Sequence, residues 1–82
     1  MSNFEQRYQK EITSFGERLK LLRISKGLTQ LDIDVATGIN RTEISKIENG
    51  LKNIEFLTLV RLAVALDVEL SELFQARPAG AV

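Results

Sequence analysis

At 82 residues, 44% hydrophobic and 27% charged, the chain has the composition of one globular domain with a modest core, which a partner subunit would help to stabilise. Neither Cys nor His occurs, which excludes disulfides, thiolate chemistry, zinc sites of the usual Cys/His kind and the nucleophile–His hydrolase site. The 11 basic and 11 acidic side chains cancel, no apolar run approaches the roughly 20 residues of a membrane span, and the N-terminus has no signal-peptide apolar region. The expectation is a reduced, cytoplasmic protein with no membrane partner.

Helix signals recur along the chain, and no strand pattern of useful length does. Ser2 to Glu5 (SNFE) fits a capping box, in which a Ser hydroxyl caps a helix and the Glu three residues on reaches back. Phe4, Tyr8 and Ile12 follow at four-residue spacing, a helical stripe that packs either on this domain or on a partner. Ser14 to Glu17 (SFGE) fits a second capping box. It opens a helix with Phe15, Leu19 and Leu22 on one face, Gly16 as a tolerated first-turn residue and Gly27 as the stop. Thr29 caps a third helix, QLDIDVAT, which ends at Gly38. Asn40 caps a fourth, with Glu43 at the capping-box position and Gly50 closing it.

Phe56 to Leu66 (FLTLVRLAVAL) is the most apolar helix and is expected at the centre, and Leu70 to Gln75 forms a short last helix. Leu66, Val68, Leu70, Leu73 and Phe74 are expected mostly in the core, with some left for a dimer interface. The small-residue tail ARPAGAV is expected to fray. The predicted fold class is all-α, five helices joined by short turns plus an extra N-terminal helix. Residues 1–14 form the helical extension, 15–75 the domain and 76–82 a flexible tail.

The functional question lies in TGINRTEISKIENG, residues 37–50. At about 100° per residue, Ile44 and Ile47 define the buried side of its helix. Thr42, Ser45, Lys46 and Asn49 fall roughly opposite, with Arg41 beside them. These outward residues include no acid. Glu43 is used at the capping position, and Glu48, four residues after Ile44, leans toward the core. Taken alone, the face is either ordinary solvated surface or a reading surface for another molecule.

The preceding turn narrows the choice. Gly38 can take the left-handed conformation that stops one helix, Ile39 drops into the core, and Asn40 starts the next. That is a helix-turn-helix, whose second helix can enter the major groove of DNA. Arg can fork onto guanine, Thr can touch a base edge or a thymine methyl, and Lys can reach guanine or phosphate. Charge is also unevenly spread. Residues 1–28 carry Arg7, Lys10, Arg18, Lys20, Arg23 and Lys26 against Glu5, Glu11 and Glu17, whereas residues 55–82 carry Glu55, Asp67, Glu69 and Glu72 against Arg61 and Arg77. A DNA-binding surface is therefore expected away from the C-terminal end.

Leu28 to Gly50 (LTQLDIDVATGINRTEISKIENG) resembles the Cro and phage-repressor type of helix-turn-helix, the XRE family. The likeness runs from about Phe15 to Phe74 and takes in LLRISKGLTQ before the motif, the closing IENG and the later LVRLAVALDVELSELF. The resemblance implies a compact five-helix, repressor-type DNA-binding domain, working as a homodimer on a two-fold double-stranded DNA operator. It implies base reading by Arg41, Thr42 and Lys46, and phosphate contacts by Gln30, Asn40, Ser45, Asn49 and Lys52. Gln30 would also brace the reading helix. The run NRTEIS is similar to controller proteins of restriction–modification systems.

The family pairs an Arg in its first helix with the Glu before NG, which here are Arg23 and Glu48. Spacing agrees, because Arg23 is four residues after Leu19 and Glu48 four after Ile44, so each sits at the edge of a buried face and needs a partner. The pair is read as a structural strut. One departure stands out. The family usually has a small residue, commonly Ala, where this chain has Asp34. Its carboxylate either accepts hydrogen bonds from the turn or from Arg41, or faces water.

The acids are scattered at no catalytic spacing and no phosphate-cradling glycine loop occurs, so an enzyme is not expected, nor a metal, cofactor or small-molecule ligand. The competing expectation is an antitoxin or other protein-interaction module with autoregulatory DNA binding. Its contact surface would be the N-terminal stripe or the tail.

Overall fold

The computed structural model describes residues 3–75. It has four α-helices, α1 (Asn3–Ser25), α2 (Gln30–Thr37), α3 (Arg41–Glu48) and α4 (Phe56–Leu66), followed by a 3-10 helix, Leu70–Phe74. Among the described residues there is no strand. The predicted pair of N-terminal helices is one continuous helix, and Ser14 lies within it rather than at a start. The physical reason is that nothing between Asn3 and Ser25 breaks a helix. The segment has no Pro, and its single Gly costs only about 1 kcal/mol in a helix interior. The first capping box depends on Ser2, which lies outside the described residues, as does the predicted tail at 76–82. The helix predicted over 70–75 is a 3-10 turn, closed by the Glu69 N–H donating to Glu72 Oε2 at 2.9 Å. Six predicted helices are thus four α-helices and one 3-10 helix among the described residues.

One apolar core joins all five elements. Phe15, Leu19 and Leu22 enter from α1, Ile33 from α2, Ile39 from the turn, Ile44 and Ile47 from α3, Leu62, Ala63 and Leu66 from α4, and Leu73 from the 3-10 helix. The Phe15 and Phe74 rings lie 5.6 Å apart, and Arg18 Nε donates to the Leu73 carbonyl at 3.2 Å, so the 3-10 helix is tied to α1 by both an aromatic and a polar contact. Only the C-terminal part of the Phe4–Tyr8–Ile12 stripe reaches this core. Ile12 is buried, while Phe4 is 79% and Tyr8 43% exposed, so most of Phe4 and part of Tyr8 remain uncovered.

Gly16 is not a spare first-turn residue. It is buried, and a Cβ placed there would lie 2.5 Å from the carbonyl oxygens of both Ile47 and Glu48. α1 therefore crosses the end of α3 backbone against backbone, which only a residue without a side chain permits. Gln9 adds a hydrogen bond from Nε2 to the Gly50 carbonyl at 3.4 Å, just beyond α3. These contacts fix α3 from behind and leave its other side outward. No helix among the described residues is long and apolar enough to cross a membrane.

Candidate nucleic-acid interface

The two motif helices are set by local hydrogen bonds. The Thr29 hydroxyl accepts from the Asp32 N–H at 3.0 Å, and the Asp32 carboxylate accepts from the Thr29 N–H at 2.8 Å, a full capping box at the start of α2. Those bonds hold the Asp32 carboxyl below its ordinary pKa. α2 stops at Gly38, whose φ of 77° is left-handed and whose N–H donates to the Asp34 carbonyl at 2.8 Å. Thr37 stiffens the turn. Its hydroxyl donates to the Ile33 carbonyl at 2.6 Å and accepts from the Ile39 N–H at 3.0 Å, while Ile39 itself is buried.

Two side chains cap α3. Asn40 Oδ1 accepts from the Thr42 N–H at 2.7 Å, and Asp34 Oδ2 accepts from the Arg41 N–H at 3.1 Å. Of the alternatives open for Asp34, the bond to Arg41 is the one present. The capping-box return expected of Glu43 is not formed. Its carboxylate lies 3.9 Å from Lys52 Nζ, where opposite charge draws it.

α3 buries Ile44 and Ile47 and turns Arg41, Thr42, Lys46 and Asn49 to the surface, with Ser45 half-buried. Gln30, Arg41, Thr42, Ser45 and Lys46 line one shallow concavity between the two motif helices. Two cations and three neutral hydrogen-bonding side chains thus share one open surface, a lining suited to anionic, hydrogen-bonding polymers such as DNA. The other residues expected at DNA lie outside that lining. Asn40 has its oxygen in the cap and only its amide N–H groups to offer. Asn49 Nδ2 donates to Ser45 Oγ at 3.5 Å. Lys52 borders a separate recess with Glu43, Asn53, Glu55 and Thr58.

Behind α3, Arg23 and Glu48 form a two-pronged ion pair, Nε to Oε2 at 2.7 Å and Nη2 to Oε1 at 3.0 Å, with side chains only 11% and 2% exposed. The carboxylate raises the Arg23 pKa further, so the guanidinium stays charged. Arg23 Nη1 also donates to the Leu28 carbonyl at 2.8 Å, tying the α1–α2 turn to the same cluster. Gln30 Nε2 donates to Glu48 Oε1 at 3.1 Å. One of its two amide hydrogens braces α3 and the other remains for a ligand. The sequence carries no signal for the close approach at Gly16, and it leaves Arg41 as one of three alternatives for Asp34.

The helix-turn-helix family model matches residues 19–73. The control protein C.MunI of a Mycoplasma species is 39% identical over 61 residues, 73% of this chain and 82% of that protein. An uncharacterized HTH-type transcriptional regulator of Sinorhizobium fredii, y4dJ, is 38% identical over 58 residues, 71% of this chain and 75% of that protein. Among solved structures, the restriction-modification controller protein C.AhdI from Aeromonas hydrophila superposes with a TM-score of 0.77 at 37% identity, covering 79% of this chain and 98% of that one. NHTF from Neisseria, a hypothetical transcription factor, superposes with a TM-score of 0.75 at 26% identity over 83% of this chain and 78% of that one. With its motif helices capped and joined as described, the chain belongs to the XRE-type helix-turn-helix family of DNA-binding transcription regulators.

Proposed function

We propose that the protein is a sequence-specific regulator of the restriction–modification controller kind, binding a two-fold operator as a homodimer with α3 in the major groove. The observation that carries this reading is the shared surface of Gln30, Arg41, Thr42, Ser45 and Lys46. Arg41, Thr42 and Lys46 read base edges. Gln30, Asn40, Ser45, Asn49 and Lys52 hold phosphates, Lys52 with part of its charge already balanced by Glu43.

Arg41→Ala is expected to weaken operator binding by about 1–3 kcal/mol and to relax preference at one base pair per half-site. Lys52→Ala is expected to weaken all DNA alike and to lower the salt slope by about one unit per site lost, because fewer counterions are released. Binding to an operator selected from a random pool and to its scrambled version, across a salt series, checks both. Equal weakening of both DNAs by Arg41→Ala makes Arg41 a phosphate clamp and passes base reading to Thr42 and Lys46.

The dimer surface is assigned to α4. Of the C-terminal residues expected mostly in the core with some left for a dimer, Leu66 and Leu73 are buried and Phe74 is 52% exposed. On the far side of α4 from Leu62 and Leu66, the side chains of Leu57, Val60 and Val64 are 60%, 39% and 74% exposed and form one stripe at helical spacing. Pairing that stripe with a second copy removes it from water, and on a two-fold operator the two reading helices of the dimer are expected about 34 Å apart, one DNA turn. Val64→Asp buries a charge in such an interface and is expected to give a folded monomer with much weaker operator binding. Sedimentation of the wild type and the variant decides it, and a wild type that is monomeric at tens of micromolar and binds DNA as a monomer removes the dimer from the reading.

A further inference from the structure

We infer that Asp34 is a positioning residue for base reading: it ties the end of α2 to the first amide of α3, and its charge opposes a phosphate settling on that amide, which leaves the side-chain N–H groups of Asn40 free to meet one. The inference rests on α3 being the reading helix. Two bonds from one residue carry it. The Asp34 carbonyl accepts the Gly38 N–H at 2.8 Å and so ends α2, while its carboxylate accepts the Arg41 N–H at 3.1 Å and so begins α3. The end of one motif helix and the first amide of the next are held by the same half-buried side chain and its own backbone. A large change in the angle between the helices would stretch the bond from the Arg41 N–H to the Asp34 carboxylate.

The consequence for Arg41 follows from where the second bond falls. Arg41 lines the concavity, and its main-chain position is pinned by Asp34 while its side chain stays exposed. The N-terminal end of a helix carries partial positive charge and attracts phosphate. Here the Arg41 and Thr42 amides already donate to Asp34 and Asn40, and one of those acceptors is an anion. A DNA phosphate approaching this end meets a carboxylate at the first amide, and finds two of the first three α3 amides already bonded. Phosphate is repelled at the amide that fixes the Arg41 main chain, so Asp34 raises the ratio of specific to non-specific binding.

The test compares wild type, Asp34→Asn, Asp34→Ala and Arg41→Ala on the selected operator and its scrambled version, with a thermal melt of each protein. Asp34→Asn keeps an oxygen that can accept from Arg41 but loses the charge. It is expected to melt close to wild type, to bind scrambled DNA several-fold more tightly with a steeper salt slope, and to lose roughly three- to tenfold in selectivity. Asp34→Ala also loses the clamp, and its base preference at the position that Arg41 reads is expected to broaden. Selectivity and salt slope unchanged in Asp34→Asn reduce Asp34 to a helix cap and overturn the inference, whether or not Asp34→Ala folds. A wild type that fails to distinguish the two DNAs overturns the reading role of α3, and this inference with it. That result is visible in the wild type alone and is not confused with a failure confined to the Asp34 variants.

Discussion

Gly16→Ala is expected to destabilise the fold by about 3 kcal/mol or more and to lower the Tm by more than about 10 °C for a domain of this size. Two effects compete at this position. Helix propensity favours Ala over Gly by about 1 kcal/mol in a helix interior. Against it stands a Cβ placed 2.5 Å from two carbonyl oxygens, those of Ile47 and Glu48. Both obstacles are backbone, and that backbone belongs to the end of α3, held by buried Ile44 and Ile47 and by the Glu48 ion pair. No side-chain rotation relieves the clash, so α1 and α3 must move apart and the core between them must open. The contact therefore outweighs propensity. A urea or thermal melt gives the sign directly, and a stabilised Gly16→Ala would show that the helices separate at no cost.

Glu48→Ala is expected to cost about 3–5 kcal/mol, because it leaves the Arg23 guanidinium desolvated with no counter-charge. The loss extends beyond the pair. Glu48 Oε1 accepts from both Arg23 and Gln30, so its removal frees the brace between α2 and α3 as well as the strut between α1 and α3. Gln30→Ala removes a single hydrogen bond and is expected to cost only about 0.5–1.5 kcal/mol. Glu48→Gln keeps the shape and one acceptor but not the charge, and should fall between the two. The measurement is the melt of all three variants, followed by DNA binding at a temperature where each is folded. A Glu48→Ala protein with an unchanged melt and collapsed DNA affinity would identify Glu48 as a contact residue rather than a strut.

The motif itself is written in local sequence. The Thr29 cap, the Gly38 stop, buried Ile39 and the Asn40 cap are determined by residues within a few positions of one another, because capping and left-handed turns are short-range hydrogen-bond and steric effects. The outward face of α3 is legible for the same reason, since a helix repeats every 3.6 residues and Ile44 and Ile47 fix which side is in. The Arg23–Glu48 partnership spans 25 positions, yet each half is marked locally as a charge at the edge of an apolar stripe.

Other features depend on which elements meet, and no local pattern encodes that. Ser14 has the residues of a helix start, but the turns on either side hydrogen-bond without interruption and α1 runs through it. Glu43 has the residues of a capping box and turns to Lys52 instead, nine positions along. Gly16 looks permissive in sequence and is tightly packed only because α3 ends against it. The α4 stripe of Leu57, Val60 and Val64 became identifiable once Leu62 and Leu66 were seen to fill the core, since an apolar helix does not show by composition which side stays outside. Sequence by itself determined the two motif helices, their turn and the polar face of the second. Tertiary structure decided how closely α1 approaches, which acid holds Arg41 in place and which apolar surface remains uncovered, because each of those is set by contacts between residues that only the folded chain brings together.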